Sequence, residues 1–408
     1  MLKRIYLTYK TAYAGLPTEA WMLSLVVLIN RSGSMVLFFM SLYLTRELGY
    51  SIAAAGRMLS IYGLGSLGGS YLGGWLSDLV GTRKVQILSL TFTGLGFVLL
   101  SFVRSPFYIG IMLFILALIG EAFRPANASA IAEVCPPILR ARCFALNRLA
   151  INLGVTIGPA LGGMLAVLDY HYIFWADGLT CFMAAFMLWF FFRGVLPLES
   201  GLRKGEQIIA RSPLKDGLLL AILGMVLAVG IVFVQVFNTW PIYLREAYGL
   251  LENHIGLLLA LNAVLIVMFE MPLIHRIEKR DTVKIMGIGI LFLCGGFAIL
   301  PLGGSPAYAA LTVFIWTIGE MLVFPFLTGF IANRAEDRNR GKYMGMMSLS
   351  FSLSFVFGPA LGTWIYDHWG ATVLWLNFGV WGILIFLGFG VINHYLKMEL
   401  QSKKVPAA

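Results

Sequence analysis

The chain has 408 residues, 59% of them hydrophobic and 12% charged, with a net charge of +10. Soluble domains carry about 25% charged residues, so this composition excludes a soluble enzyme, and the basic excess is not read as a nucleic-acid-binding surface. Apolar runs of about 20 residues recur along the whole length, each long enough to cross a bilayer as a helix.

The N-terminal "MLKRIYLTYK" is basic, but the apolar run that begins near Trp21 is too long for the core of a cleavable signal peptide. Twelve spans are predicted, at 21–44, 53–77, 84–103, 106–132, 143–167, 171–193, 217–244, 253–275, 283–303, 306–332, 342–366 and 370–396. The fold class is therefore all-α and polytopic. A polar loop over 194–216, with Pro197, Gly201, Gly205 and Pro213, reads as a linker between an N-terminal bundle (1–193) and a C-terminal bundle (217–408).

Charge orients the spans. Of the 30 Lys and Arg, 23 fall in the termini or even-numbered loops, and only Arg46, Arg104 and Arg245 fall in odd-numbered ones. The positive-inside rule then places both termini in the cytoplasm. The four cysteines have no metal-ligand spacing, and no disulfide framework is expected. The five histidines lie at span ends or in loops, so neither a metal site nor an embedded enzyme is expected.

Ionisable residues at membrane depth are candidates for function because lipid penalises them. Asn30 and Arg31 sit mid-span in "LINRSGSM", where Arg31 has the charge to meet an anionic group. Arg57, near the start of the second span, reads as interfacial. Glu121 and Arg124, in "IGEAFRPANASA", share one helix face at i,i+3 spacing and are expected to pair, beside the helix-loosening Pro125. Asp177 is given a helix-packing role. Gln235, Asn238, Trp240 and Tyr243 form a polar and aromatic strip in "VFVQVFNTWPIYL", expected to line a substrate cavity together with Asn30, Arg31 and Arg124. An interfacial aromatic belt is the competing reading for Trp240 and Tyr243. Glu270 and Glu320 complete the set. Glu320 has no basic neighbour in sequence, and desolvation favours the neutral form of a carboxyl group, so it leads the proton-coupling candidates, ahead of Glu121 and Glu270.

The chain repeats itself at a shift of 200. Tyr43-Leu44 matches Tyr243-Leu244, Gly49 matches Gly249, Ser105-Pro106 matches Ser305-Pro306, Pro125 matches Pro325, Trp175 matches Trp375, and GPALG at 158–162 recurs at 358–362. Halves with an even span count are parallel repeats, an architecture in which transporters bind substrate between the halves.

Twelve spans as six and six resemble the major facilitator superfamily, and two motifs carry the likeness. "GGWLSDLVGTRK" is similar to that family's loop 2–3 signature through Gly74, Asp78, Gly81, Arg83 and Lys84, with Leu79 where a basic residue is usual. The second-half counterpart is degraded to Glu278, Lys279 and Lys284. "GVTIGPALGG", with Gly154, Gly158, Pro159, Gly162 and Gly163, resembles the family's antiporter signature, with Asn147 at an earlier glycine position. The resemblance implies a gate at the cytoplasmic face. There Asp78 would accept from helix N-terminal N–H groups and pair with an arginine, and Glu133 would partner Arg83 or Arg140. The first glycine motif is expected to pack against a helix of the other half, and the second to be a relic that keeps only a kink.

The functional expectation is a monomeric, proton-coupled exporter of small amphipathic or drug-like molecules in the inner membrane, with no cofactor and no nucleic-acid partner. Competing readings are a proton symporter that takes up a small anionic or peptide-like solute, and a lipid or lysolipid flippase. No Walker A motif occurs, so an ion gradient is the expected energy source.

Overall fold

The computed structural model describes residues 15–136, 139–193, 213–277, 280–334 and 340–402. Among the described residues, eleven helices are long and apolar enough to cross a membrane. They are α1 (Thr18–Glu47), α3 (Thr82–Leu100), α4 (Pro106–Val134), α5 (Arg142–Leu168), α6 (Tyr170–Phe191), α7 (Gly217–Phe237), α8 (Glu252–Ile277), α9 (Thr282–Leu302), α10 (Pro306–Arg334), α11 (Tyr343–Trp369) and α12 (Ala371–Met398). The twelfth, α2 (Ile52–Val80), runs for 29 residues but is diluted by glycine and serine. The twelve predicted spans are present, and no strand occurs among the described residues. Of the expected linker, residues 194–212 lie outside the described residues.

Contacts divide the chain into two units. One is Met1–Phe39 with Leu64–Gly205, and the other is Met40–Gly63 with Glu206–Ala408. The later part of α1 and the first turns of α2 therefore pack with the second unit. In the first unit α1 packs on α5, and α3 packs on α6 and α4. In the second, α7 packs on α11, and α9 packs on α12 and α10. These pairings are the same set displaced by six helices, so the sequence repeat is also a packing repeat.

Fine structure repeats too. Gly49 and Gly249 both turn the chain with positive φ, +69° and +64°, a conformation that favours residues without Cβ. After each, the same bond closes the turn: Tyr50 N–H donates to Leu44 O at 2.9 Å, and Leu250 N–H to Leu244 O at 3.1 Å. Helix α1 is broken after Ser32 and resumes at Val36. Its mate α7 tightens to a 3-10 turn over Val234–Phe237, and a further helix follows at Thr239–Ala247.

The glycine motifs act where helices meet. A Cβ at Gly154 would strike Arg31 Cβ at 2.5 Å, and one at Gly162 would strike Met35 Cβ at 2.7 Å. At Gly158 it would stand 3.1 Å from Arg31 O, and Gly163 is buried in the same stretch. The first motif therefore seats α5 on α1 of its own bundle, correcting the expectation that it packs against the other half. The second copy is no relic. Gln235 Nε2 donates to Gly358 O at 2.8 Å, Asn238 Nδ2 donates to Pro359 O at 3.2 Å, and the Gln235 amide lies against Gly362. It seats α11 on α7 in the same manner.

A second correction concerns cysteine. Cys135 and Cys143 are joined by a disulfide across the turn between α4 and α5, with Cα atoms 6.7 Å apart. The two lie eight residues apart on consecutive antiparallel helices, a proximity that linear spacing does not reveal. Cys181 and Cys294 are free and buried.

Helix α2 meets α11 closely. A Cβ at Gly63 would strike the carbonyl of Phe355, which Pro359 leaves without its helical donor. Backbone cannot move aside as a side chain can, and overpacking costs about 1–3 kcal/mol. Gly63→Ala is expected to lower the melting temperature in detergent. Gly224→Ala, where a Cβ meets nothing within 4 Å, is expected to leave it unchanged. An equal melt for both variants would contradict this packing.

Candidate functional site

Three polar clusters interrupt the apolar packing. In the first unit, the break in α1 exposes backbone donors that lipid cannot satisfy. Asp177 of α6 answers them: Met35 N–H donates to Oδ1 at 3.0 Å and Oδ2 at 3.2 Å, and Val36 N–H donates to Oδ2 at 3.0 Å. The side chain is an N-cap delivered from another helix, and Asp177 is 1% exposed. Asn30 Nδ2 donates to Cys181 Sγ at 3.5 Å one turn away, and Arg31 is half-buried beside Gly154. Asn30, Arg31, Asp177 and Cys181 thus share one locus on α1 and α6.

Glu121 and Arg124 pair as expected, Nη1 to Oε2 at 3.3 Å. The carboxylate side chain is only 16% exposed and the arginine 61%, so the pair presents its positive end outward.

In the second unit, Glu320 does have a partner. Asn262 of α8 donates through Nδ2 to Glu320 Oε2 at 2.8 Å, and lies 3.0 Å from the Thr317 hydroxyl. The expectation of a carboxylate without a near partner is corrected: the neighbour comes from another helix. Asn262 was missed in the sequence, though it stands out as the polar residue in "LLLALNAVLIV". Glu270 lies about two turns further along α8 and is 7% exposed.

The strip on and after α7 has a different role from the expected cavity lining. Gln235, Asn238 and Trp240 are fully buried, and Tyr243 is nearly so. The two amides bind carbonyls of α11, and Tyr243 packs on Trp375 with ring centres 5.6 Å apart, beside the stacked Phe297 and Trp316. Their polarity serves the broken backbone and the aromatic core.

The loop 2–3 signature is partly formed. Gly81 caps α3 with φ +92°, which explains glycine there. Arg83 donates to Trp189 O at 3.4 Å, and Lys84 is exposed. Asp78 is exposed and, among the described residues, makes neither hydrogen bond nor ion pair, so the expected brace is not formed. Gly74 has open space around it. Glu133 accepts from the Thr82 hydroxyl at 3.0 Å, which replaces the expected Arg83; the Arg140 side chain, like Glu278 and Lys279, lies outside the described residues.

At the opposite ends of the helices, Arg46 meets Glu246 at 3.4 Å, and Tyr366 Oη donates to Glu246 Oε2 at 2.8 Å. At the start of α7, Asp216 caps the helix through Leu219 N–H and takes two bonds from Arg334, at 2.7 and 2.8 Å, and one from Tyr343.

The family model of the Major Facilitator Superfamily matches residues 22–339, and the chain belongs to that family of membrane transporters. It is 27% identical over 372 residues to the uncharacterized MFS-type transporter YttB of Bacillus subtilis (strain 168), covering 89% of this chain and 92% of that one. It is 26% identical over 388 residues to the multidrug resistance protein MdtH of Proteus mirabilis (strain HI4320), covering 92% and 93%. Among solved structures, the peptide transporter POT in complex with sulfate superposes with a TM-score of 0.80 at 16% identity, covering 94% and 96% of the two chains. At that identity the likeness shows the fold.

Two outcomes are expected. Asp177→Ala strands the buried Val36 N–H, at a cost of about 1–3 kcal/mol, and leaves Met35 N–H only the Gly33 carbonyl, so it should melt below wild type, with Asp177→Asn between them; equal melts for wild type and Asp177→Ala would rule out the cap. For Asp216, burial opposes ionisation, but Arg334, the Leu219 N–H and Tyr343 together hold its carboxyl below the usual carboxylate range. A lowered folded value means the contribution is complete above the unfolded value of about 3.9 and fades as pH falls below it. The melting gap between wild type and Asp216→Asn should therefore be constant from pH 7 to 5 and narrow progressively as pH falls below about 4. A gap that does not narrow at all as pH falls below about 4 would contradict it.

Proposed function

We propose that this chain is a proton-coupled secondary transporter that exports small amphipathic or drug-like molecules by alternating access. It acts as a monomer in the cytoplasmic membrane with both termini on the cytoplasmic side. The observation that carries the reading is Glu320, a partly buried carboxyl group in mid-membrane that takes a hydrogen bond from a neutral amide. A carboxyl group so placed changes the local charge by a full unit when it takes up a proton, and burial makes that change energetically large. Asn262 can donate to the ionised form and, by its carbonyl, accept from the protonated one, so the contact survives both states.

Asn262 and Glu320 join α8 to α10, so a change in their bonding bears directly on how those helices pack. Protonation then biases one conformation over another by its differential stability in the two. Each proton that moves down a potential of about 100 mV supplies about 2.3 kcal/mol. Glu121, held by Arg124, and Glu270 are secondary candidates for the same role. Export is favoured over uptake by the relatives named for multidrug resistance, which align along nearly the whole chain. The basic loops orient the molecule so that Asp78 faces the cytoplasm and the Arg46–Glu246–Tyr366 contact faces outward.

Glu320→Gln is expected to abolish transport driven by a pH gradient in proteoliposomes while leaving binding of the same substrate within about threefold. Asn262→Ala should leave transport active but shift its pH profile. Full coupling in Glu320→Gln would remove that carboxyl group as the essential carrier.

A further inference from the structure

The second contact unit carries a groove that none of the preceding chemistry uses. It has a volume of about 450 Å³ and lies between the first turns of α2 and the last turns of α11, walled by Ala53, Phe357, Leu361 and Trp364. Its single charged wall residue is Arg57. That arginine is exposed and makes no hydrogen bond or ion pair with any described residue. Arginine within a spanning helix is normally paired or turned to a polar cavity. Here it is set in an apolar trough with no counterion among the described residues.

Depth identifies what can supply one. Arg57 is five residues inside the start of α2, and Trp364 is five residues inside the end of α11, so both lie about 8 Å along their helices. Trp364 stacks on His368 and packs edge-on against Trp369. Such aromatic clusters mark the level of the lipid headgroups. A long arginine side chain at that depth reaches the phosphate layer while its stem stays in hydrocarbon. The exposed faces of Phe357 and Trp364 offer an acyl chain an apolar bed.

We infer that this groove is a binding site for an anionic phospholipid, with the phosphate held by Arg57 and an acyl chain lying along Phe357, Leu361 and Trp364. A zwitterionic lipid brings its own cation beside the phosphate and neutralises much of the attraction, so the site discriminates by net headgroup charge. The bound lipid would bridge α2 and α11 where Gly56 and Gly63 already bring the two backbones together. This site is independent of what the protein transports.

The test uses the purified full chain in mixed micelles with acyl-brominated phosphatidylglycerol or phosphatidylcholine. Subtracting the tryptophan quenching of Trp364→Phe from that of wild type isolates Trp364. Its quenching is expected to be at least twofold greater with brominated phosphatidylglycerol. Arg57→Gln should reduce it to the phosphatidylcholine level, and Arg57→Lys should keep most of the preference. Raised salt, which needs no variant, should shrink the phosphatidylglycerol excess and leave phosphatidylcholine quenching alone. Equal quenching by the two lipids in wild type, an excess that salt leaves untouched, or a preference that survives in Arg57→Gln overturns the site.

Discussion

Hydrocarbon offers a backbone N–H or carbonyl no partner, so a helix that crosses it must either remain unbroken or have each break answered by a side chain. Among the described residues α4 is interrupted at Glu121–Ala122, and α1 and α7 are broken or distorted at equivalent positions of the repeat. The breaks in α1 and α7 are each answered from within their own contact unit. The carboxylate of Asp177 receives the donors freed in α1, and the amides of Gln235 and Asn238 run from α7 to carbonyls of α11. The close seating of α5 on α1 and of α11 on α7 follows from the glycines beside these breaks.

The halves share geometry but differ in chemistry. Asp177 has Asn377 as its repeat mate, and Arg31 has Ile231. The N-terminal unit therefore keeps ionisable groups beside its break, whereas the C-terminal unit uses neutral amides there and keeps its mid-membrane carboxyl group elsewhere, on α10. Glu121 and Glu320 are near mates in sequence, yet one is held by an arginine on its own helix and the other by an asparagine from a neighbour. A duplicated scaffold thus carries one carboxylate beside a cation of its own helix and one that accepts from a neutral amide of a neighbouring helix.

The architecture was legible from the sequence because long apolar runs, loop charge and a 200-residue register are all one-dimensional signals. The Glu121–Arg124 pair was equally readable, since i,i+3 spacing lies within one helix. What escaped reading depended on contacts between helices. Gln235, Asn238 and Trp240 have the composition of a cavity wall, and only their complete burial against α11 and the bundle core reveals their role as packing. Asn262 could not be matched to Glu320 because 58 residues separate them. Glu133 turned to Thr82 for the same reason, its neighbour being set by the packing of α3 on α4. The glycine motifs were recognised but assigned to the wrong neighbour, since a small residue announces a close approach without saying to what.

In the proposed mechanism the sign of proton coupling is what distinguishes an exporter from an uptake carrier on the same scaffold. Simultaneous recording of lumenal pH and of a fluorescent lipophilic cation in proteoliposomes of known protein orientation tests it most directly. Protons moving in one direction while the cation moves in the other, with both fluxes lost together in Glu320→Gln, is the result this account predicts. Protons and solute moving in the same direction, or solute movement indifferent to the pH gradient, would contradict it.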